Sequence, residues 1–416
     1  MSYPFTVKVS FDFSSGPTFG YSFLLGDAVN GILGTNVLAD AASNVVDISS
    51  QVQAISIKGG YNLTTDQFES TSCTLRIYDP LGYWNPQNVS SPYFGKIIPN
   101  RKVQISALYA GTTRFLFSGY ASSYNYQYPK DQIVGYVDIL CTDAFRLFQL
   151  TNVSSIAGAV NGQSTGARIN SILDSIAWPT SLRLVDTGDS LCQADPGTVR
   201  TALGALKVAE ATEQGAFYID GNGNAVFKSR SNVIKTNGAA PITIFNNDGS
   251  AIGYYNITFA HDDKLIINST TVTNIGGTAQ NSTDATSQAL YYPHSYALPN
   301  LVGQTDADAL NIARLYTATR KDTTIRIDNL TLDLTTPNYA AGVTAGLSLD
   351  FFNTVKITSN TQNLTSITKT LQIVGNGYEI TPTTFKSTFT TSEPIDDGFI
   401  LDSTLYGILD TSVLTY

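Results

Sequence analysis

The two histidines of the chain are the first residues to weigh for chemistry, because imidazole titrates near neutral pH and is a common metal ligand. His261 is followed directly by Asp262 and Asp263, a trio that could bind a metal ion or supply a general base. The other histidine, His294, has no ligand-spaced partner in its neighbourhood. We therefore interpret the trio as a turn at the end of a strand, and we predict no metal site.

A second candidate is Asp220-x-Asn222-x-Asn224, which begins like a calcium-binding loop. Such a loop needs glycine at its sixth position and glutamate at its twelfth, where this chain has Ala225 and Ser231. The run is better interpreted as a hairpin turn, since Asp, Asn and Gly tolerate positive φ. No nucleophile elbow is expected, and the sequence lacks a P-loop and an HExxH motif. We predict no catalytic residues, no cofactor and no enzyme activity.

Composition narrows the possible partners. The chain has 416 residues and a formal net charge of −9, which argues against sequence-independent nucleic-acid binding. Charged residues make up 14% of it, against about 25% in a typical globular chain, so Ser, Thr, Asn and Gln must supply most of the polar surface. A weakly ionic, aromatic surface suits large protein contacts. No apolar run reaches the length of a membrane span, no signal peptide is expected, and the three cysteines are expected to be buried free thiols.

Helical periodicity is concentrated in residues 166–230. In residues 166–177 apolar side chains recur at i, i+3, i+4 and i+7, which predicts an amphipathic helix that ends before Pro179. A second helix is predicted with Asp195 as N-cap, Pro196 at its first position and Gly215 as C-cap. A hairpin about the turn 221–224 follows. This stretch is predicted to be a small α+β module.

The flanking sequence alternates between apolar and polar residues, as strands of a barrel or sandwich do. Residues 79–103 form a Pro-, Gly- and aromatic-rich loop that we expect to be functional. Thr305 and Asp308 have the spacing of a capping box that opens a helix. The predicted class is mainly β with an α+β insertion. The predicted domains are an N-terminal strand and docking arm (1–44), a first tube-like β-barrel or sandwich (45–150), the module (151–238), a second tube-like barrel (239–393) and a C-terminal arm (394–416).

The two ends of the chain resemble each other. Residues 23–38 and 399–414 share Phe, Leu, a Gly-Ile-Leu triplet, Thr and Val-Leu in one ungapped register. One local structure is therefore expected at both ends. It is either a duplicated packing element or, in the sharper hypothesis, a docking arm that orders against a neighbouring subunit.

A series of motifs in a particular order resembles one protein family. The motifs are Asp79, Trp84-x-Pro86, Ser91-Pro-Tyr-Phe-Gly95, Pro99 and Val103, residues 115–119, Cys-Thr-Asp-Ala-Phe-Arg-Leu at 141–147, residues 172–179, Asp186-x-Gly188, residues 203–210 and 217–227, and the tail at 408–414. Together they span most of the chain, and their order resembles the hub or minor tail proteins at the tail tip of long-tailed bacteriophages. The resemblance implies a homotrimer whose six barrels form a pseudo-sixfold ring matching the tail tube. It also implies a structural virion protein that caps the tube, anchors fibre or receptor-binding proteins and gates genome passage. The implied partners are the tube or distal tail ring, fibre or receptor-binding proteins and the tape measure protein.

Two other functions remain open from the sequence. The chain could be a receptor-binding tail tip protein that stacks sugars on Tyr83 and Trp84 or on the tyrosines of residues 124–128. It could also be a hexameric distal tail ring protein, although the α+β insertion speaks against that. For a ring, the acidic balance suggests a lumen lined with carboxylates that does not hold passing DNA.

Overall fold

The first part of the chain forms a run of antiparallel strands. The computed structural model describes residues 5–14, 16–19, 45–128, 135–235, 240–360 and 365–394. The strands of the first part are β1 (Thr6–Asp12), β2 (Val45–Asp47), β3 (Val52–Asn62), β4 (Gln67–Phe68), β5 (Ser72–Tyr78), β6 (Lys102–Tyr109), β7 (Thr112–Gln127) and β8 (Tyr136–Thr142). Their alternation decides which face is buried: in β5, Cys73, Leu75 and Ile77 are at most 1% exposed while their neighbours face solvent.

The α+β module follows with its own apolar core. Its elements are α1 (Phe145–Leu150), β9 (Asn152–Val153), β10 (Gln163–Ser164), α2 (Thr165–Ser175), β11 (Arg183–Val185), β12 (Leu191–Cys192), β13 (Arg200–Thr201), α3 (Ala202–Glu213), β14 (Ala216–Ile219), β15 (Ala225–Lys228) and α4 (Arg230–Lys235). The apolar stripe of α2 packs against α3 and the β14–β15 hairpin, and Ile169, Ile172 and Leu173 are fully buried. The helix and the hairpin were both predicted from periodicity.

The predicted caps of the second helix were wrong. Thr201 is the N-cap of α3, and its side chain accepts a hydrogen bond from the N–H of Gly204 at 3.0 Å. Asp195 instead accepts from the N–H of Gly197 at 2.9 Å and pairs with Arg200. At the other end, Gln214 rather than Gly215 adopts the left-handed conformation, with φ of 58°.

The last part of the chain contains a second set of strands with an insertion. Its elements are β16 (Thr243–Asn246), β17 (Asn256–Ala260), β18 (Ser269–Asn274), β19 (Gln280–Thr283), α5 (Ala285–Tyr291), β20 (Ser295–Leu301), α6 (Asp306–Arg320), β21 (Arg326–Asp333), α7 (Ala340–Ser348), β22 (Thr354–Asn360), β23 (Ser366–Ile380) and β24 (Phe385–Ser392). The predicted capping box opens α6: Thr305 accepts from the N–H of Asp308, and Asp308 accepts from the N–H of Thr305. Strands β18 to β20 form a separate small sheet that α6 covers.

Strands from both parts of the chain join one fourteen-stranded sheet. Its main path is β17-β21-β24-β23-β3-β5-β8-β7-β6-β1-β2, and β22 and β16 extend from β23. The two parts meet where β3 pairs antiparallel with β23, from Gly60 opposite Gly375 to Ile55 opposite Ile380. Over the described residues this path does not close on itself, so the architecture is that of an open sandwich-like sheet rather than a closed barrel. The mainly β class with an α+β insertion is confirmed.

The sheet contains the same arrangement of strands twice. We call β1, β3 and β5–β8 the first sheet unit, whose strands lie in the order β3-β5-β8-β7-β6-β1. We call β16, β17 and β21–β24 the second sheet unit, in the order β17-β21-β24-β23-β22-β16. Each strand of one unit therefore has a counterpart of the same rank in the other. One orientation differs, since β1 runs antiparallel to β6 while β16 runs parallel to β22.

Backbone details confirm that the two units correspond. Tyr120 of β7 lies opposite both β6 and β8, as Gln372 of β23 lies opposite both β22 and β24. A register shift follows at the same distance in each, between Ala121 and Ser123 and between Ile373 and Gly375. These matches set a residue-by-residue correspondence between β7 and β23.

The backbone just before β6 and just before its counterpart β22 is also the same. Asn100 and Phe352 both adopt left-handed backbone conformations, with φ of 65° and 66°. Their N–H groups donate to the carbonyls of Ala121 and Ile373, each at 2.7 Å. Because non-glycine residues rarely adopt this conformation, its recurrence at matching positions indicates that the two units have the same backbone structure here.

Several predictions concern residues outside the described part of the chain. The proposed docking arms at residues 23–38 and 399–414 lie there, so the local structure and the docking role expected for them stay predictions. The domain boundaries at 44, 150, 238 and 393 also stay predictions. No helix in the described ranges is both long and apolar enough to cross a membrane.

Candidate functional site

The histidine trio does not form a reactive cluster. Asp262 pairs with Arg326, with 2.9 Å between Oδ1 and Nη1, and hydrogen bonding to that guanidinium lowers the pKa of Asp262. His294 Nε2 is 3.9 Å from Asp263 Oδ2 and 3.0 Å from the Tyr291 carbonyl. In the part of the chain that the structure describes, no group of three or more His, Cys, Asp or Glu side chains is placed to hold a metal ion.

The Asp220 motif is engaged within its own hairpin. Asp220 Oδ1 accepts from the N–H groups of Asn222 at 2.9 Å and Asn224 at 2.8 Å, and Oδ2 accepts from the Asn224 side chain at 2.9 Å. The turn thus satisfies the carboxylate oxygens that a calcium ion would need.

One serine has the spacing of a nucleophile elbow, which sequence reasoning overlooked. Gly162, Ser164 and Gly166 match Gly-x-Ser-x-Gly, and Ser164 stands between β10 and α2. Its backbone is ordinary extended chain, with φ of −66°, rather than the strained turn of such an elbow. Its hydroxyl accepts from the N–H of Ala167 at 3.4 Å. The serine is an N-cap of α2, and that role accounts for its position.

Trp84 is buried and cannot stack on a sugar. The side chain is 0% exposed, and its Nε1–H donates to Gln51 Oε1 at 2.8 Å. Asp79 fixes the turn before it by accepting from the N–H groups of Tyr83 at 2.7 Å and Trp84 at 3.1 Å. The loop of residues 79–101 therefore carries a core residue of the first sheet unit. The hypothesis of sugar stacking on Trp84 was wrong, because a core position leaves no ring face open.

The tyrosines at the end of β7 are tied to that loop. The hydroxyl of Tyr124 donates to the carbonyl of Ile98, and the hydroxyl of Tyr128 donates to Asp79 Oδ2, both at 3.0 Å. Burial raises the pKa of both phenols, and the hydrogen bond to Asp79 adds to the rise for Tyr128. The rings of Tyr126 and Tyr128 stack with their centroids 6.3 Å apart. These contacts hold the end of β7 in a fixed conformation.

A cleft of about 200 Å³ is lined by the turn after β3, the end of α3, the insertion that contains α6, and strands of the second sheet unit. Inside it Asp66 pairs with Arg320 at 2.5 Å, and the Tyr61 hydroxyl is 3.4 Å from Asp66 Oδ1. Burial raises the pKa of Asp66 and that of the neighbouring Tyr316. The pair links the turn after β3 to the end of α6. It provides no nucleophile beside a base, so its geometry suits holding elements together.

Two strand edges are open. Residues 123–127 of β7 pair with β8 on one side, and β17 pairs with β21 on one side. Among the described residues no strand occupies the other side of either. Open edges present backbone donors and acceptors that a further strand can satisfy. Sequence reasoning singled out the tyrosines of residues 124–128 as an aromatic loop rather than a strand edge, and it missed β17, whose pattern from Asn256 to Ala260 alternates.

The solvent face between these edges is weakly charged. On β3, β5, β8 and residues 375–380 of β23, the outward side chains are Ser56, Lys58, Ser72, Thr74, Arg76, Tyr78, Tyr136, Asp138, Leu140, Thr142 and Glu379. Two are basic and two acidic, and Arg76 pairs with Asp138 at 2.8 Å. These strands carry no carboxylate surplus on this face, and the acidic lumen of a ring stays a prediction.

The fold is that of phage tail proteins. The chain is similar to the tail protein from Neisseria meningitidis MC58, with a TM-score of 0.59 and 9% identity over 94% of this chain and 98% of that one. It is also similar to the 43 kDa tail protein of prophage MuSo2 from Shewanella oneidensis, with a TM-score of 0.52 and 12% identity over 84% of this chain and 95% of that one. No family model matches the sequence, and no curated protein matches it.

Proposed function

We propose that the chain is a structural virion protein, a hub at the tail tip that caps the tail tube and gates genome passage. The fold shared with two phage tail proteins supports this at the level of architecture. The candidate reactive residues support it as well, since Asp220, Asp262 and Ser164 are each engaged in local structural contacts. We infer that its function is structural rather than enzymatic, and that it resides in the virion tail.

The observation that carries the proposal is the repeated sheet unit. One chain contributes two units of the same strand order to one continuous sheet. Three chains then supply six units, which is the number that a sixfold tail tube offers for matching contacts. We therefore propose a homotrimer with pseudo-sixfold symmetry. The two similar terminal arms, residues 23–38 and 399–414, are proposed to dock neighbouring tail proteins, including fibre or receptor-binding proteins.

The receptor-binding alternative has less support. Its strongest residue, Trp84, belongs to the core, and the hydroxyls of Tyr124 and Tyr128 are used within the chain. The hexameric ring alternative needs six chains, whereas a chain that already contains two units reaches six units with three copies.

The test is the mass of the assembled protein together with its position on the particle. Light scattering of the purified chain should give three times the 44.7 kDa chain mass. Electron microscopy of tails that carry a tag on this chain should show the label at the distal tip. A hexamer, or a label along the tail shaft, would contradict the proposal.

A further inference from the structure

The junction between the two sheet units inside the chain is a complete interface. Here β3, the first strand of the first unit, pairs with β23 of the second, with Ser56 opposite Glu379 and Ile57 opposite Tyr378. The junction is tight, because a Cβ on Gly60 would lie 2.4 Å from the Cα of Gly375. It shows which edges of a unit can join two units.

The counterpart of that edge of β23 is the open edge of β7. Since Gln372 corresponds to Tyr120 and the register shifts coincide, Gly375 corresponds to Ser123. Counting on from there, Tyr378 corresponds to Tyr126 and Glu379 to Gln127. In the chain, residues 375–380 are covered by β3, whereas among the described residues no strand covers 123–127.

The counterpart of β3 is β17, and the sheet registers fix which residues correspond. In the first unit Ser56 pairs with Thr74, Thr74 with Leu140, and Leu140 with Ser123. In the second unit Thr258 pairs with Asn329, Asn329 with Thr390, and Thr390 with Gly375. Because Gly375 and Ser123 correspond, Thr258 corresponds to Ser56, and Phe259 corresponds to Ile57.

We propose that β17 of one copy pairs antiparallel with residues 125–128, at and just beyond the end of β7, in the next copy. The junction that β3 and β23 form within one chain would then recur between chains. The occupant of both open edges is thus a second copy of this chain. In the resulting register Thr258 lies opposite Gln127, Phe259 opposite Tyr126, and Ile257 opposite Tyr128. The proposal rests on the homotrimer of the proposed function and specifies the strands that would close it.

The side chains of the two edges suit each other. Phe259 facing Tyr126 places two aromatic rings as a cross-strand pair, where the internal junction has Ile57 and Tyr378. Thr258 and Gln127 are both exposed and uncharged, so their approach brings no like charges together. Ile98 lies beside the β7 edge, where its carbonyl accepts the Tyr124 hydroxyl, and it is 47% exposed. A neighbouring strand would cover this apolar side chain.

Disulfide trapping tests the register directly. We would combine Thr258→Cys with Gln127→Cys and oxidise the purified chain under mild conditions. The native thiols Cys73, Cys141 and Cys192 are at most 1% exposed and should not react. The expected product is a covalent trimer on a non-reducing gel. A mixture of the two single variants should give covalent dimers, and each single variant alone should stay uncrosslinked.

The internal junction provides the matched control. Ser56→Cys with Glu379→Cys occupies the corresponding pair within one chain, so it should form a disulfide at monomer mobility. If light scattering shows a trimer while the 258–127 pair does not crosslink, the seam is wrong and the trimer stands. If crosslinked chains extend beyond three copies, the seam stands and the trimeric hub is wrong. A monomer without crosslinks at high protein concentration would overturn both.

Discussion

The two sheet units share their strand order, and they differ in the segments that join the strands. Between β5 and β6 the first unit has the loop of residues 79–101, and between the counterpart strands β21 and β22 the second unit has α7. Between its first and second strands the first unit has only the short β4, whereas the second contains β18 to β20 with α5 and α6. The ladder of backbone hydrogen bonds is kept, and the connections vary because they lie outside it.

The units also differ in what covers their edges. The first strand of the first unit, β3, is paired on both sides, by β5 and β23. The first strand of the second unit, β17, is paired by β21 alone within the described residues. A chain with two equivalent units but one internal junction leaves one junction to be made with another chain. This asymmetry is the physical basis for expecting self-assembly.

The largest expected loss of stability comes from a substitution in the loop of residues 79–101, which the second unit does not have. Trp84 is 0% exposed, and its ring packs 5.2 Å from Phe11 and 5.0 Å from Tyr93 between centroids. Trp84→Ala should lower the free energy of unfolding by about 3–5 kcal/mol, since it leaves a large cavity. Urea denaturation followed by circular dichroism would measure the loss.

The control lies on the same loop. Leu81 is 64% exposed, so Leu81→Ala should change the free energy of unfolding by no more than about 0.5 kcal/mol. If Trp84→Ala were as mild as Leu81→Ala, the loop would be a dispensable connection rather than part of the core of the first unit.

The second prediction concerns two carboxyl groups at matching positions of the two units, which we expect to affect stability differently as the pH changes. Asp143 directly follows β8, and Glu393 occupies the matching position after β24. Asp143 accepts from Ser70, from the Thr71 N–H at 2.6 Å and from the Phe145 N–H, but burial dominates and raises its pKa from 3.8 to about 6. Glu393 is instead partly exposed and pairs with Lys369 at 2.6 Å.

The sign follows from the raised pKa of Asp143. The folded state binds the proton more tightly than the unfolded state, so this carboxyl adds stability that is full below pH 3.8 and lost as the pH rises through about 6. The contribution is about 3 kcal/mol across that window. Asp143→Asn should remove it.

The measurement is the free energy of unfolding at several pH values between 4 and 7, compared between variant and parent. Asp143→Asn should flatten the curve relative to the parent chain, and the matched variant Glu393→Gln should preserve the fall between pH 4 and 6. If Asp143→Asn and the parent chain showed the same pH dependence, the pKa of Asp143 in the folded parent would not be raised.

Sequence patterns predicted elements better than they predicted their arrangement. The α2 stripe, the β14–β15 hairpin and the capping box at Thr305 are local signals, and each was found where the pattern indicated. Asp195 with Pro196 imitated a helix start, but the carboxylate is used in a turn and in a pair with Arg200. Local caps compete with such turns, and tertiary contacts decide between them.

The repeated units could not be found from local patterns. Their correspondence depends on strand order and on pairings between strands, such as Tyr120 with Thr142 in one unit and Gln372 with Ser392 in the other. It also depends on backbone conformation, since Asn100 and Phe352 share a φ value while their side chains have nothing in common. The open edges follow from strand order, and alternation within one strand does not show which strands are its neighbours.

The smallest expected effect concerns this shared left-handed residue. In the first unit it is Asn100, an exposed residue of a type that tolerates positive φ, and in the second it is Phe352, which is 5% exposed. Asn100→Ala should lower the free energy of unfolding by about 1 kcal/mol. In the left-handed conformation Cβ lies close to the following carbonyl oxygen, and alanine lacks the polar side chain with which asparagine can offset this. Asn100→Gly should be neutral or slightly stabilising, since glycine adopts it freely. Thermal unfolding of the two variants side by side would measure the difference.

If alanine and glycine were equivalent at position 100, the left-handed turn would not constrain the backbone that enters β6. The same conformation at Phe352 would then reflect the packing of that side chain instead of a backbone requirement common to both units.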